Sequence, residues 1–303
     1  MKIDLHIHSR CSDGRMNPEE LFLEANKRHL ALISITDHDS LDCQESAQIM
    51  AEKYRIRYLS GLELNVSYAH EAYREGKPAA LDFLAYGYDI HDRPLRSKLH
   101  ELREYRQQRA EKILQNVNIE LKKENIPELT QQDMEVIQAS VDGAFGRPHI
   151  AGYLVEKGIV ATKQQAFDQY LVRCNVPKMP LSLPEASELV REAGGKLMLA
   201  HPSDPRGTSL VSFAESLPEQ QELIRGTMLP YIDGVECWHH RHDLLTTASY
   251  IAFAREQGLI VTGGSDCHQS PVVMGSVDVP EHVAEQFGFN LSLPVENQQG
   301  VKE

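Results

Sequence analysis

The stretch Asp4-Leu5-His6-Ile7-His8-Ser9 opens the chain as a short apolar strand that ends in two histidines. In an extended chain, residues two positions apart project from the same face, so both imidazoles can reach one point. A single His-x-His pair is more often ordinary than functional. It becomes informative through the residues that end the other predicted strands.

Histidines and carboxylates recur where the later strands are predicted to end. They occur in Ser12-Asp13-Gly14, Thr36-Asp37-His38-Asp39, Gly61-Leu62-Glu63, Ala200-His201-Pro202 and Gly264-Ser265-Asp266-Cys267-His268. The carboxyl ends of the strands of a (β/α) barrel converge on one site. A mixed set of imidazole and carboxylate ligands suits Mn, Fe or Zn better than Ca or Mg. The pattern therefore predicts a metal centre.

Strands and helices alternate at both ends of the chain. Asn17-Pro18-Glu19-Glu20, for example, has the residues of a capped helix start. Seven predicted strands, most of them separated by helices, predict the α/β class with a parallel barrel or open sheet. Residues 95–180 lack the alternation and are predicted to be helical throughout. We therefore expect a metal-binding barrel over 1–94 and 181–285, an all-helical insertion over 95–180 and a polar tail over 286–303.

Composition restricts the function classes. The 303 residues carry 31 Lys and Arg against 44 Asp and Glu, a net charge of −13, which disfavours strong non-specific nucleic-acid binding but allows a small anionic substrate. No apolar run reaches the roughly 18 residues of a membrane span, and no leader precedes the first strand, so we expect no membrane association and a cytoplasmic protein. Five cysteines without Cys-x-x-Cys spacing predict reduced thiols and no disulfide.

These motifs together resemble the polymerase and histidinol phosphatase (PHP) family of metal-dependent phosphoesterases, over residues 1–275. The helical insertion is similar to the branch that includes the nucleoside 3′,5′-bisphosphate phosphatase and the RNA 5′-end exonuclease. The resemblance implies a distorted (β/α)7 barrel with an all-helical insertion and up to three clustered metals.

The resemblance also implies three groups of ligands. His6, His8, Glu63 and Asp266 would hold one ion, Glu63 would bridge to a second ion shared with His201, and Asp13, His38 and His268 would hold a third. We expect two or three divalent ions, with Mn favoured over Zn or Fe.

One position departs from the branch pattern. The branch usually has a histidine at the start of the fourth strand, where this chain has Asp82 within Leu81-Asp82-Phe83. A carboxylate can still bind a metal, but it adds negative charge and favours a harder ion. Otherwise the second site is weak, or His70 supplies a ligand from the loop.

The implied chemistry is hydrolysis of a phosphate ester. A hydroxide that bridges two metals would attack in line, because a bound divalent ion lowers the pKa of water to about 7 in favourable cases. His201 and His268 are the candidate catalytic residues, with a second role in proton handling. Candidate substrate-binding residues are Arg147, His149, Arg206 and His242. Arg147 and His149 would clamp a second phosphate.

The expected substrate is the phosphate monoester of a small nucleotide, such as a nucleoside 3′,5′-bisphosphate. Alternatives are 5′-to-3′ exoribonuclease action on short RNA, a cyclic phosphate phosphodiesterase, or a histidinol or sugar phosphatase. An amidohydrolase or deacetylase would typically need a carbamylated lysine or a further histidine on a middle strand, and no lysine stands at a strand end there. A degenerate metal-binding module that serves a partner protein is the non-enzymatic alternative, and the near-complete ligand set argues against it.

Overall fold

The computed structural model describes residues 1–139, 147–177 and 179–294. Two compact units make up the chain: Met1–Arg96 with Pro180–Glu303, and Ser97–Met179. The predicted polar tail beyond residue 294 lies outside the described residues.

The described residues form eight strands and ten α-helices. The strands are β1 (Lys2–Ile7), β2 (Leu30–Ile35), β3 (Arg57–Tyr58), β4 (Gly61–Tyr68), β5 (Ala79–Tyr86), β6 (Lys196–Leu199), β7 (Gly234–His239) and β8 (Ile260–Gly264). The helices are α1 (Pro18–Lys27), α2 (Gln44–Tyr54), α3 (Arg93–Lys123), α4 (Gln131–Ala139), α5 (Arg147–Glu156), α6 (Lys163–Ala166), α7 (Leu183–Glu192), α8 (Leu217–Thr227), α9 (Leu244–Gln257) and α10 (His282–Glu285).

The strands of the first unit form two sheets, in the orders β1-β2-β3 and β4-β5-β6-β7-β8. The α/β class is confirmed. The predicted distorted (β/α)7 barrel is not confirmed, because the described strands form two sheets and no closed barrel. β5 pairs antiparallel with both β4 and β6. Residues 69–78, which join β4 to β5, contain only one short 3-10 turn. They are too few for the crossover that a parallel pair requires, so a hairpin results.

The edges of the two sheets meet at two isolated bridges. One pairs Ile7 with Cys267 and the other pairs His38 with Glu63. The amide of His8 donates to the carbonyl of Cys267 at 3.2 Å, and the amide of Asp39 donates to the carbonyl of Glu63 at 2.8 Å. The backbone itself therefore brings histidines and carboxylates from distant segments to one edge.

Local sequence signals explain the surrounding helices. The Asn17 side chain accepts from the Glu20 amide and the Glu20 side chain accepts from the Asn17 amide, which confirms the predicted helix start.

The chain after β8 also adds to the core: Val279, Val283 and Leu291 are buried beside residues of β1 and β6. The polar composition of this stretch therefore does not keep its apolar residues in solvent.

The second unit contains most of α3 together with α4, α5 and α6 and is helical where described. Its core comprises Ile113, Val117, Leu154 and Leu171, each fully buried. Among the described residues, no helix combines the length and the apolar character needed to cross a bilayer.

The prediction that all five cysteines are free thiols is wrong. Cys11 and Cys43 form a disulfide, whereas Cys174, Cys237 and Cys267 are buried free thiols. The turn after β1 approaches the start of α2, which brings the Cα atoms of the bonded pair to 6.0 Å. The two cysteines are 32 residues apart in the sequence, and this spacing alone does not indicate that they lie close together in the fold.

Candidate metal centre

All nine predicted ligand residues lie in the first unit and form one continuous cluster where the two sheets meet. They come from β1 and the turn after it, the segment after β2, the start of β4, the middle of β5, and the segments that follow β6 and β8.

The innermost part of the cluster joins His6, His8 and Asp266. The two imidazole Nε2 atoms lie 3.2 Å apart, and Nε2 of His8 lies 3.2 Å from Oδ1 of Asp266. Both histidines are fully buried. The spacing of two residues between His6 near the end of β1 and His8 just after it therefore brings both rings to one point.

Glu63 stands at the centre of the cluster. Its Oε2 lies 3.0 Å from Nδ1 of His38 and 3.3 Å from Nε2 of His8, and its Oε1 lies 3.1 Å from Nε2 of His201. Glu63 is 1% exposed. One carboxylate therefore contacts imidazoles from three separate segments, which is the arrangement expected of a bridging ligand.

Glu63 does not follow the strand-end rule on which its prediction was based, and Asp82, which the resemblance placed at the start of a strand, lies further along it. Glu63 is the third residue of β4, and Asp82 lies within β5, directly opposite Asn65 in the antiparallel register. Opposite residues share a face of the sheet, as do residues two apart, so Glu63, Asn65 and Asp82 project together. Oδ2 of Asp82 lies 4.0 Å from Nε2 of His201.

The outer part of the cluster is more exposed. His268 Nε2 lies 3.1 Å from Asp13 Oδ1, and His38 Nε2 lies 3.8 Å from Asp13 Oδ2. The Asp13 and His268 side chains are 41% and 36% exposed. Four ligand atoms, one each from His8, Asp13, His38 and His268, lie within 4.8 Å of one another. This outer group is therefore the most accessible candidate ion site.

The electrostatics of the cluster favour positive charge. Burial raises the pKa of Glu63, but His38 and His6 outweigh it and hold that pKa well below its usual range. Burial lowers the pKa of His201, yet Glu63 and Asp82 raise it to about 9. Without a metal, protons therefore take the place that cations would occupy, and metal binding should release them.

The donor set fits a divalent transition ion. Burial and the neighbouring His268 lower the pKa of His8, which keeps its imidazole neutral. The buried side-chain oxygen Glu63 Oε2 lies 3.0 Å from Nδ1 of His38 and 3.3 Å from Nε2 of His8, but it accepts no well-directed hydrogen bond within the described residues. A cation that takes the place of the protons would stabilise these converging carboxylate and imidazole groups.

The predicted substrate residues occupy different environments. Arg206 is exposed, and its backbone amide donates to Asp204 Oδ1 at 2.8 Å. His242 donates from Nδ1 to the Cys237 carbonyl at 3.0 Å, and burial lowers its pKa to about 4. It therefore offers a lone pair rather than a charge at neutral pH.

The contacts described for the remaining candidates lie within their own segments or units. Arg147 and His149 belong to α5 of the helical unit, where Arg147 lies over the Phe167 ring at 5.7 Å. His70 accepts from the Ala72 amide within its own loop. The structure does not bring His70 to Asp82, and the clamp by Arg147 and His149 stays a prediction.

Sequence reasoning missed two residues of β7. Glu236, which is fully buried, accepts from His6 Nδ1 at 3.0 Å, and His239 Nε2 lies 3.4 Å from Asp266 Oδ2. A signal was present, because a glutamate between apolar residues of a buried strand is rarely found without a partner. His239 offered no such signal, because it stands in the stretch His239-His240-Arg241-His242, in which the sequence does not distinguish one histidine from the next.

The proteins similar to this chain include the following two curated relatives and one solved structure. A 5′-3′ exoribonuclease of Haemophilus influenzae is 29% identical over 204 residues, 66% of this chain and 69% of that protein. A 3′,5′-nucleoside bisphosphate phosphatase of Chromobacterium violaceum is 27% identical over 279 residues, 88% of this chain and 87% of that protein. A crystal structure from Bifidobacterium adolescentis, described as a metal-dependent phosphoesterase, superposes with a TM-score of 0.71 at 26% identity and covers 94% of both chains.

The family model for the PHP domain matches residues 4–179. That match spans more than half of the chain, and it begins at the strand that carries His6 and His8. The predicted resemblance is thus confirmed, and the chain belongs to the PHP domain family.

Proposed function

We propose that this phosphoesterase removes a phosphate group from a small nucleotide, such as a nucleoside 3′,5′-bisphosphate. The observation that carries the proposal is the buried Glu63 carboxylate, whose two oxygens face His8, His38 and His201. A glutamate in that position can bridge two cations. Paired cations are what a phosphate ester needs, because its oxygens carry charge that must be neutralised before attack.

The proposed cofactor is a set of two or three divalent ions, with Mn favoured over Zn or Fe. The residues proposed to hold them are His6, His8, Asp13, His38, Glu63, Asp82, His201, Asp266 and His268. Bound divalent ions would lower the pKa of water and neutralise phosphoryl oxygens. Asp82 adds a carboxylate beside Glu63, which favours the harder ions of this group.

The chain's own residues supply the remaining steps. His268 is 36% exposed and lies 3.1 Å from Asp13, so it can exchange protons between the cluster and solvent. His201 is the second candidate for proton handling. Arg206, His242, Arg147 and His149 are the proposed substrate contacts. The net charge of −13 favours a small substrate over a long polyanion.

The test is phosphate release by the Mn-loaded chain, with and without a chelator. Adenosine 3′,5′-bisphosphate, a 5′-phosphorylated short RNA and a cyclic phosphate are offered separately. We expect fast, chelator-sensitive release from the bisphosphate and loss of that release in Glu63→Gln. Turnover of the cyclic ester alone would replace the proposed substrate with a diester, and no turnover of any of the three would direct the search to histidinol and sugar phosphates.

Exoribonuclease action on short RNA is the second candidate. The 29% identity to the Haemophilus influenzae exoribonuclease favours it. In the same assay it would appear as mononucleotides released from the RNA. The dependence of the rate on RNA length separates the two candidates. The acidic surface should slow the reaction of a small-nucleotide phosphatase as the strand lengthens, whereas a rate that is maintained on longer strands would favour the exoribonuclease.

A further inference from the structure

The buried carboxylate of Glu236 contacts the cluster without entering it. Glu236 is fully buried on β7, which supplies none of the nine proposed ligands. Both of its oxygens are engaged. Oε1 lies 3.0 Å from Nδ1 of His6, and Oε2 accepts the backbone N–H of His201 at 2.8 Å.

The contact with His6 determines where that imidazole carries its proton. An ionised carboxylate only accepts hydrogen bonds, so Nδ1 of His6 must be the donor. In the neutral ring the lone pair then lies on Nε2. Nε2 is the atom that faces the cluster, 3.5 Å from Oδ1 of Asp266 and 3.6 Å from Oε1 of Glu63.

The contact with His201 acts on the backbone. His201 has φ of 24°, a left-handed value that is uncommon for a residue with a side chain. Such conformations persist when the surroundings hold them in place. The bond from the His201 amide to Glu236 is one such restraint, and it accompanies the approach of Nε2 to Glu63 at 3.1 Å.

We propose that Glu236 is a positioning residue that prepares two metal ligands at once. It fixes the proton of His6 on the atom that faces away from the cluster, and it fixes the backbone that presents His201. The inference rests on the proposed function, because it assumes that His6 and His201 bind metal. The proposed role does not extend to the outer group of Asp13, His38 and His268, because the side-chain contacts described for Glu236 are with His6 and His201.

Glu236→Gln tests the proposal with little change in shape. An amide has one acceptor oxygen, so its NH2 group must face one of the two N–H donors and one bond is lost. We expect Mn²⁺ titration of the chelator-treated chain, followed by calorimetry, to show binding weakened about 10- to 100-fold at the sites that use His6 or His201. The outer site of Asp13, His38 and His268 should keep its affinity.

The matched control is Asp133→Asn in the helical unit. Asp133 is also a buried carboxylate, and it accepts from Thr130, Tyr153 and Lys157, none of which is a proposed ligand. This variant should keep every Mn²⁺ affinity. Unchanged affinities in a folded Glu236→Gln variant would overturn the positioning role.

A second measurement needs no variant. In the Zn²⁺-loaded wild type, ¹⁵N NMR of the imidazoles should show His6 protonated at Nδ1. A proton on Nε2 would overturn the proposal, even if Glu236→Gln fails to fold. The two proposals also fail differently: a wild type that binds no Mn²⁺ or Zn²⁺ contradicts the proposed function, whereas a wild type that binds them as tightly as Glu236→Gln contradicts only the role of Glu236.

Discussion

Replacing Asp82 by asparagine separates the folding cost of a buried carboxylate from its use as a ligand. Asp82 is 5% exposed, and its Oδ1 accepts from Asn65 Nδ2 at 2.6 Å. Burial, with the nearby charge of Glu63, raises the pKa of Asp82 from 3.8 to about 6. An acid whose pKa rises on folding binds its proton more tightly in the native state, so stability falls as the pH increases through that interval.

The size of the effect follows from these two pKa values. A tenfold change in proton affinity corresponds to about 1.4 kcal/mol, so the rise from 3.8 to about 6 lowers the free energy of unfolding by about 3 kcal/mol once Asp82 is ionised. Asparagine keeps the acceptor oxygen for Asn65 without the charge. Metal-free Asp82→Asn should therefore be more stable than the wild type by about 3 kcal/mol near pH 7.5, with a smaller difference toward pH 4.

Urea unfolding of the chelator-treated proteins at both pH values measures this difference. Saturating Mn²⁺ should reverse its sign, because only the wild type keeps the Asp82 ligand and binding stabilises the folded state. Asp133→Asn is the control of opposite sign, since Lys157 and Tyr153 lower the pKa of Asp133 and its charge stabilises the fold. A pH-independent difference, or a less stable metal-free Asp82→Asn, would refute the reasoning.

Two further predictions concern stability. The Cys11–Cys43 bond spans a sequence separation of 32, so Cys43→Ser should lower the free energy of unfolding by about 3 to 4 kcal/mol. A reductant should shift the urea midpoint of the wild type but not of the variant, and an unaffected wild type would show that the bond does not form in solution. A Cβ added at Gly264 would collide with the backbone N of His6, whereas one at Gly226 would meet nothing within 4 Å. Thermal unfolding should show Gly264→Ala destabilised by about 1 to 3 kcal/mol and Gly226→Ala, within α8, stabilised by about 0.5 to 1 kcal/mol. Equal effects of the two substitutions would contradict the close contact of β8 with His6.

The ligand-type residues were predictable because their signal is local. His6 and His8 are two apart on a strand, and Asp266 and His268 are two apart after one, so spacing alone places each pair together. The direction in which strands pair is not local. The apolar character of residues 56–64 predicts one continuous strand, whereas the structure has β3 and β4 there, which belong to different sheets. This break places Glu63 near the beginning of a strand rather than at its end.

Glu236 shows why the rest of the site could not be predicted. Its two partners lie 230 and 35 residues away in sequence, and neither contact leaves a periodic pattern. What the sequence does show is a charged residue inside Gly234-Val235-Glu236-Cys237, a strand that the α/β pattern buries. An ionised carboxylate there requires donors, and a metal centre has them in the N–H groups that its histidine ligands do not use for the metal. A lone glutamate in a buried strand, next to a predicted set of histidine ligands, is therefore itself an indication of a positioning residue.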